Sequence, residues 1–381
     1  MVYLDNAATT FPKPEEVYEE VMKCMREYGA NPGRSGHRLA LEAGRVIYDT
    51  RETLSKMFNI KNPMNIAFTC NGTDGLNTAI KGILKSGDHV ITSTMEHNSV
   101  LRPLKDMEKK GVELTIIECD EKGFINVDDI EKNIKGNTKA IITTHASNIT
   151  GTIFPIKRIG ELAHANNIIY IVDAAQTAGL YDIDVVDMNI DVLVFPGHKS
   201  LLGPQGTGAI YIGEDVCIEC TKQGGTGSAS ESLVQPDIMP DKFESGTPNT
   251  PGIAGLGRGA KFIMERGMEN IRNHEQELTK YFLDELNKIE EVIIYGPNDA
   301  EKQAPVISLN IKDADSSEVG YLLDSEFDIA VRTGLHCAPL AHETIGTLQS
   351  GTIRFSIGYF NTEKDIDQAL DALRSIIRDL K

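Results

Sequence analysis

The chain has 381 residues, of which 40% are hydrophobic and 25% are charged. This length exceeds that of a small binding module and supplies a sizeable core, so we expect a folded protein with one large and one smaller domain. The net charge is −18, and no basic run is present. Such a surface repels phosphate backbones, which argues against nucleic acid as a partner and favours small-molecule substrates.

We also expect a cytoplasmic protein with no membrane partner. The first residues contain no basic segment followed by an apolar one, and no apolar stretch approaches the roughly 18 residues of a membrane span. The 6 cysteines lack the regular spacing of a disulfide framework. Such cysteine usage is typical of a reducing compartment.

Short β-branched runs alternate with helical patterns between residues 60 and 212. The predicted strands are 66–69, 89–93, 113–118, 140–144, 168–172, 192–195 and 209–212. Helical patterns such as 99–110 and 156–166 lie between most of them. This alternation predicts crossover connections, and therefore an α/β domain with a mostly parallel seven-stranded sheet.

The pattern changes at the Pro-rich turn 246–252, after which an amphipathic stretch runs to about residue 288. The elements predicted beyond it are strands at 306–311, 329–332 and 352–357, and helices at 316–323 and from 362 onward. This order predicts a smaller α+β domain. We assign residues 15–250 to the large domain, and residues 1–14 and 251–381 to the small one.

Two charged residues follow neighbouring strands of the predicted sheet. Asp173 lies at a strand end, where open α/β sheets bind ligands, although a helix N-cap is an equally good interpretation. Lys199 lies between a strand and a glycine-rich turn, where a partly desolvated lysine can act as a nucleophilic amine. Pyridoxal phosphate requires both types of group, because a lysine binds its aldehyde and a carboxylate keeps its ring nitrogen protonated. The pair is far more specific than either residue alone.

Other residues at predicted strand ends could complete such a site. Gly72 and Thr73 follow a strand and open a helix, so they offer a cradle for a phosphate. His97 could stack on a ring or move protons, although a lone histidine there is more often a capping residue. In the small domain, Arg332 could hold a carboxylate and Cys337 could be an attacking thiolate, although a cysteine beside a histidine is usually structural.

Three other patterns are set aside. The glycines of 255–260 fit a dinucleotide fingerprint, but they follow a Pro-rich turn and not a strand, which excludes a nicotinamide dehydrogenase. Cys217 and Cys220 could be half of a zinc or redox site, but no second pair follows, and we interpret them as neighbours on a helix. Cys337 and His342 lack further clustered ligands, so we predict no metal site.

Together the motifs resemble those of the class V aminotransferase-fold enzymes, and most of all the SufS-type cysteine desulfurases and selenocysteine lyases. They occur in the family's order over essentially the whole chain, namely at 3–8, His97, 173–176, 197–199, 246–250 and 332–337. The resemblance implies the pyridoxal-phosphate-dependent transferase fold, also called aminotransferase fold type I. It implies that Lys199 carries the Schiff base, Asp173 pairs with the pyridine nitrogen, Gln176 bonds the ring hydroxyl and His97 stacks on the ring. The resemblance further implies that Gly72, Thr73 and His198 bind the cofactor. It also implies a homodimer in which Thr247 reaches the cofactor of the other subunit.

The resemblance also implies a substrate, L-cysteine, and a sulfur-transfer step. Asn148 and Arg332 match positions that hold the substrate carboxylate, and His37 and Arg354 are further candidates for substrate binding. Cys337 matches the thiol that takes the sulfur as a persulfide and leaves alanine. An acceptor protein would then draw off the persulfide for iron–sulfur cluster or thio-cofactor assembly.

Two positions depart from the family pattern. Pro196 replaces a frequent serine or threonine, which removes one expected phosphate contact. Leu335 replaces a frequent histidine, so only His336 neighbours the thiol. The short segment between Cys337 and Arg354 is similar to that of the SufS-type branch, whose thiol lies on a restrained loop.

Other functions remain open at this point. A selenocysteine lyase, or another β-lyase or aminotransferase of the same fold, would use the same cofactor residues, and the substrate could be L-selenocysteine. A non-catalytic protein on this scaffold is disfavoured, because Lys199, Asp173, His97 and Cys337 are all retained.

Overall fold

The computed structural model describes residues 1–32 and 36–380. Its α-helices are α1 (Glu15–Lys23), α2 (Arg38–Met57), α3 (Gly72–Ile83), α4 (Asn98–Glu108), α5 (Val127–Lys132), α6 (Ile156–Ala165), α7 (Thr250–Arg266), α8 (Met268–Leu286), α9 (Ser316–Phe327), α10 (Pro339–Thr344) and α11 (Glu363–Asp379). Its strands are β1 (Val2–Tyr3), β2 (Ile66–Thr69), β3 (His89–Ser93), β4 (Glu113–Ile117), β5 (Thr138–Thr144), β6 (Ile169–Asp173), β7 (Val192–Pro196), β8 (Gly208–Ile212), β9 (Val292–Tyr295), β10 (Val306–Ile311), β11 (Ile329–Ala330), β12 (Arg332–Gly334) and β13 (Thr352–Ser356).

The large sheet has seven strands in the order β2-β8-β7-β6-β5-β3-β4. All neighbours pair in parallel except β8, which runs antiparallel to both β2 and β7. Strands of this kind are apolar throughout because helices cover both faces. In β7, Leu193 and Phe195 pack into one core, and Val192 and Val194 pack into the core on the opposite face. The predicted mostly parallel α/β sheet is confirmed.

A four-stranded antiparallel sheet, ordered β12-β13-β10-β9, lies in the second half of the chain. The N-terminal strand β1 pairs in parallel with β11 beside it. The single strand predicted at 329–332 is therefore two short strands, and β1 and β9 were not predicted. Both are short, and side chains of β9 are only partly buried, so neither carries the alternating apolar pattern of a longer strand.

The amphipathic stretch after residue 250 forms two helices, α7 and α8, which separate at Gly267. This residue has a φ of +82°, a conformation that glycine adopts at little steric cost. Leu256 of α7 packs into a core of the large sheet, whereas Phe282 of α8 packs into the core of the small one. The predicted division between residues 250 and 251 stays a prediction.

Two of the discarded patterns have definite places in the fold. The glycines of 255–260 lie inside α7, not after a strand. The helix predicted around Cys217 and Cys220 is wrong, because both residues lie in an irregular segment after β8. There the Cys220 thiol donates to the carbonyl oxygens of Lys222 and Lys242, at 2.6 and 3.0 Å.

Among the described residues, no helix is long and apolar enough to cross a membrane.

Candidate active site

A cavity of about 180 Å³ lies at the carboxyl ends of the parallel strands, where open α/β sheets place ligands. The residues that line it are Asn71, Gly72, Thr73, Leu76, His97, Ser99, Thr144, Ala146, Asn148, Asp173, Ala175, Gln176, Pro196, His198 and Lys199. Eight of these were predicted from the sequence as cofactor or substrate residues, namely Gly72, Thr73, His97, Asn148, Asp173, Gln176, His198 and Lys199. The sheet topology therefore brings together residues that are far apart in the chain.

Asp173 is the last residue of β6 and is only 4% exposed. Its Oδ1 accepts a hydrogen bond of 2.9 Å from the backbone N–H of Ala175. Burial raises the pKa of Asp173, and both this N–H group and the neighbouring Lys199 oppose that rise. No helix follows β6 before β7 in the described residues, so the helix N-cap interpretation is wrong. The carboxylate instead accepts within a turn and lines the cavity.

Lys199 follows β7 and is half-buried against the same cavity. Its pKa is lowered to about 8, mainly because the amine is removed from water and to a smaller extent by Arg354 and Arg332, while Asp173 opposes the shift. A lysine with such a pKa is partly unprotonated near neutral pH. It can therefore act as a nucleophilic amine.

His97 lies at the N-terminus of α4 and lines the cavity. Its Nδ1 accepts the backbone N–H of Ser99 at 3.0 Å, so the imidazole caps the helix. The pKa of His97 is lowered to about 4, mainly by burial and to a smaller extent by the positive charges of Lys199 and Arg332. A neutral, flat ring is therefore presented to the cavity by a fixed capping contact.

The N-terminus of α3 also lines the cavity. Asn71 caps this helix by accepting the N–H of Asp74 at 2.9 Å. The hydroxyls of Thr73 and Ser99 lie 2.7 Å apart, which joins the starts of α3 and α4. Two helix N-termini at one wall favour a negatively charged group there. Pro196 also lines this wall, and its Cδ would lie 3.3 Å from a Cβ added at Gly72.

His198 and Gln176 complete the cofactor residues that face the cavity. The Gln176 amide donates to the carbonyl oxygen of Ala7 at 3.3 Å, which leaves its side-chain oxygen for other partners. The pKa of His198 is lowered to about 4, mainly by burial and to a smaller extent by the charges of Lys199 and Lys13. The Nδ1 of His198 is buried without a partner among the described residues. An unpaired buried nitrogen of this kind is costly unless a ligand uses it.

Two arginines approach the site from the small sheet. Arg332 of β12 and Arg354 of β13 are paired across adjacent strands. Arg354 is 1% exposed, forms an ion pair of 2.8 Å with Asp5 and donates to the carbonyl oxygen of Asn148 at 3.1 Å. Its Nε has no partner among the described residues. The guanidinium is thus held between Asp5 and Asn148, and its Nε–H stays unused in the described part of the chain.

Cys337 lies on a turn that follows β12. Its thiol is exposed, and a nitrogen of Arg332 lies 3.8 Å from Sγ. His336 and Cys337 both have left-handed backbones, with φ of +46° and +61°. The carbonyl oxygen of Cys337 accepts the N–H of Asn98, and that of His336 accepts the Asn148 amide, both at 2.8 Å. The thiol is therefore carried on a turn bound to the large domain.

His336 lies next to Cys337 in the chain but supplies no positive charge to the thiol. Its imidazole is 2% exposed, and burial lowers its pKa to about 2, together with the positive charge of Arg354. The ring is therefore neutral. Among the residues near the thiol, Arg332 provides the positive charge.

Five predicted site residues do not line the cavity, namely Arg332, Arg354, Cys337, His37 and Thr247. His37 is exposed and caps α2 by accepting the N–H of Ala40 at 3.3 Å. Thr247 is exposed on the loop before α7. The structure does not bring either residue to the cavity, and their roles stay predictions.

Sequence reasoning missed several polar groups around the site, including Asp5 and Ser99. It also missed Glu96, which is fully buried and precedes His97. Glu96 Oε1 accepts the Ser93 hydroxyl at 2.6 Å and the Thr144 N–H at 3.1 Å. Its pKa is raised to about 8, mainly by burial and to a smaller extent by the nearby Asp173 carboxylate, against the two hydrogen bonds. An acid next to a strand-end histidine was the available signal.

Comparisons with known proteins agree with this geometry. The model of the family Aminotransferase class-V matches residues 2–369. A probable cysteine desulfurase of Methanothermobacter thermautotrophicus is 34% identical, over 98% of this chain and 94% of that protein. The cysteine desulfurase IscS of Clostridium botulinum is 35% identical, over 99% and 94%. The apo structure of a cysteine desulfurase from Thermococcus onnurineus superposes with a TM-score of 0.94 at 32% identity, covering 99% of this chain and 95% of that one. The chain therefore belongs to the aminotransferase class V family, in the group of the cysteine desulfurases.

Proposed function

We propose that this protein is a pyridoxal-phosphate-dependent cysteine desulfurase. It would convert L-cysteine to L-alanine and take the sulfur on Cys337 as a persulfide. The observation that supports this most directly is the placement of Asp173 and Lys199 on one cavity wall, with an exposed thiol on a turn bound to the same domain. Its relatives bear the name cysteine desulfurase.

The cavity fits pyridoxal phosphate in its charge and its unused polar groups. Asp173 would pair with the ring nitrogen, and His97 would lie against the ring. The phosphate would be held by the N-terminus of α3, with Thr73, and by the Nδ1 of His198, which has no partner among the described residues. When bound, the cofactor supplies an electron sink that stabilises negative charge at the substrate's α-carbon.

The protein groups have distinct tasks in this proposal. Lys199 would be the residue that holds the cofactor covalently, and its lowered pKa would let it move the α-proton of a bound substrate. Arg332, Arg354 and Asn148 hold the substrate carboxylate. Of these, Arg354 has an Nε–H that no described residue accepts, which a carboxylate can use.

The sulfur-transfer step needs an acceptor as the carbon–sulfur bond breaks. The Cys337 thiolate attacks the substrate sulfur, and an S–S bond forms while the bond between sulfur and Cβ breaks. The electron pair of that bond remains with Cβ, which takes a proton and becomes the methyl group of alanine. A nitrogen of Arg332 lies 3.8 Å from Sγ and places a positive charge beside the reacting sulfur.

Two experiments test this function. Reduction with borohydride in the presence of the cofactor should fix it on the peptide containing Lys199. A label on Lys13 instead, whose Nζ lies 2.6 Å from the carbonyl oxygen of His198, would contradict the assignment. Cys337→Ala should keep the cofactor's colour but lose alanine formation from L-cysteine by about 100-fold or more. Cys217→Ala is the matched control, since Cys217 is also exposed.

A second candidate is a selenocysteine lyase of the same fold. A carbon–selenium bond is weaker, so selenium could leave without attack by Cys337. Two results together would favour this function. The parent would leave L-cysteine unchanged, and Cys337→Ala would retain the full parental rate on L-selenocysteine.

The remaining assignments also belong to the proposal. We infer a homodimer in which Thr247 reaches the partner's phosphate, a cytoplasmic location and an acceptor protein that removes the persulfide. The SufS-type branch stays a prediction, and relatives from Clostridium botulinum bear the name IscS.

A further inference from the structure

The turn that carries Cys337 has an unfavourable backbone conformation. His336 and Cys337 are consecutive non-glycine residues with positive φ, at +46° and +61°. Left-handed conformations of this kind cost free energy and persist where the surrounding structure holds them. Contacts of the turn must therefore provide the compensation, and the side chain of His336 is the buried one of the pair.

The imidazole of His336 is anchored to strand β13. Its Nε2 lies 3.1 Å from the carbonyl oxygen of Thr352 and 3.2 Å from the hydroxyl of the same residue. A carbonyl oxygen only accepts, so Nε2 carries the proton and donates. The charged and titratable groups that face the ring are Arg354, His342 and Arg332, and burial among them keeps the ring neutral.

His336 is also stacked on a second buried histidine, His342, with ring centroids 5.6 Å apart. His342 makes its own contact with the Thr347 hydroxyl at 2.7 Å. No hydrogen bond joins the His342 side chain to the Cys337 turn within the described residues. The two histidines thus share burial and ring type, but His336 alone belongs to the turn.

We propose that His336 is a positioning residue for Cys337, whose buried Nε2–H to Thr352 bond fixes the left-handed turn and so aims Sγ at the substrate's sulfur. The inference rests on the proposed function. It differs from activation of the thiol by a charged histidine, because a neutral, buried ring adds no charge beside Sγ. Misplacing a reacting atom by about 1 Å can reduce a rate by about 100-fold.

The test compares His336→Phe with the matched control His342→Phe. Each keeps a buried ring and removes one hydrogen bond. Persulfide on Cys337 is measured by mass spectrometry after a single turnover with L-cysteine, and alkylation of Cys337 by iodoacetamide is measured without substrate. We expect His336→Phe to slow persulfide formation by about 10- to 100-fold, with alkylation within about twofold of the parent. His342→Phe should retain most of the persulfide rate.

Several outcomes would overturn the inference. Persulfide formation at the parental rate in His336→Phe would show that the anchor is dispensable. A parallel fall in alkylation would show that His336 acts on thiol reactivity, and an equal fall in His342→Phe would show a general packing effect. If His336→Phe does not fold, His336→Ala takes its place. A parent that forms no persulfide would overturn the proposed function itself, and this inference with it.

Discussion

Glu96 offers a test of how the buried polar groups beneath the site are charged. Its carboxyl is fully buried, and its pKa is raised to about 8 from an ordinary 4.5. The folded protein then keeps a proton on Glu96 up to about pH 8, whereas the unfolded chain loses it above about pH 4.5. Since the unfolded state binds fewer protons in this window, the stability of the parent falls as pH rises.

The variant Glu96→Gln lacks this ionisation and keeps an oxygen that can accept from Ser93 and Thr144. Its free energy of unfolding should therefore gain on the parent by roughly 1.4 kcal/mol per pH unit between pH 4.5 and pH 8, or about 4 to 5 kcal/mol in all. Above pH 8 the difference should be constant.

Urea unfolding of both proteins at several pH values measures this difference, in which the other titrating groups cancel. A difference that does not change with pH would refute the reasoning, because it would mean that Glu96 is ionised in the folded state. Glu96→Ala serves as a second variant. At pH 5 it should be destabilised by about 2 to 4 kcal/mol, since two donors lose their acceptor.

Three further predictions concern other parts of the molecule. Asp5→Ala removes the ion partner of the buried Arg354, so KM for L-cysteine should rise at least about tenfold in steady-state assays. An unchanged KM would contradict a substrate role for this arginine. Gly160→Ala should destabilise the protein by about 3 kcal/mol or more in urea unfolding, because the added Cβ would clash with the carbonyl oxygen of Met188. Gly136→Ala is the control and should be near neutral, because no described atom lies within 4 Å of its added Cβ. Sedimentation should give a dimer at assay concentration, and an active monomer would disprove the shared-site proposal.

Much of the cofactor end of the site could be predicted because it follows directly from local sequence. Asp173 ends the apolar strand β6 and Lys199 lies three residues after the apolar strand β7, and parallel strands bring their carboxyl ends to one edge. The topology then places His97 beside them. These positions depend on strand ends alone, which the β-branched runs reveal.

The substrate side depends on contacts between distant segments and was less predictable. The pairing of Asp5 with Arg354 joins residues separated by 349 positions, and no periodic pattern encodes it. The burial of His336 also follows from packing against β13, so its charge state could not be inferred from its place beside Cys337. Short strands such as β9 lack a pattern long enough to detect.

The pairing of β1 with β11 has a consequence for the order in which the site is assembled during synthesis. The first residues of the chain find their partners only after residue 329 has been made, while every strand of the large sheet lies between residues 66 and 212. Domains fold as units while the chain emerges from the ribosome. A nascent chain therefore gathers Asp173 and Lys199 well before it gains Arg332 and Arg354, and so acquires the groups proposed for the cofactor earlier than those proposed for the substrate.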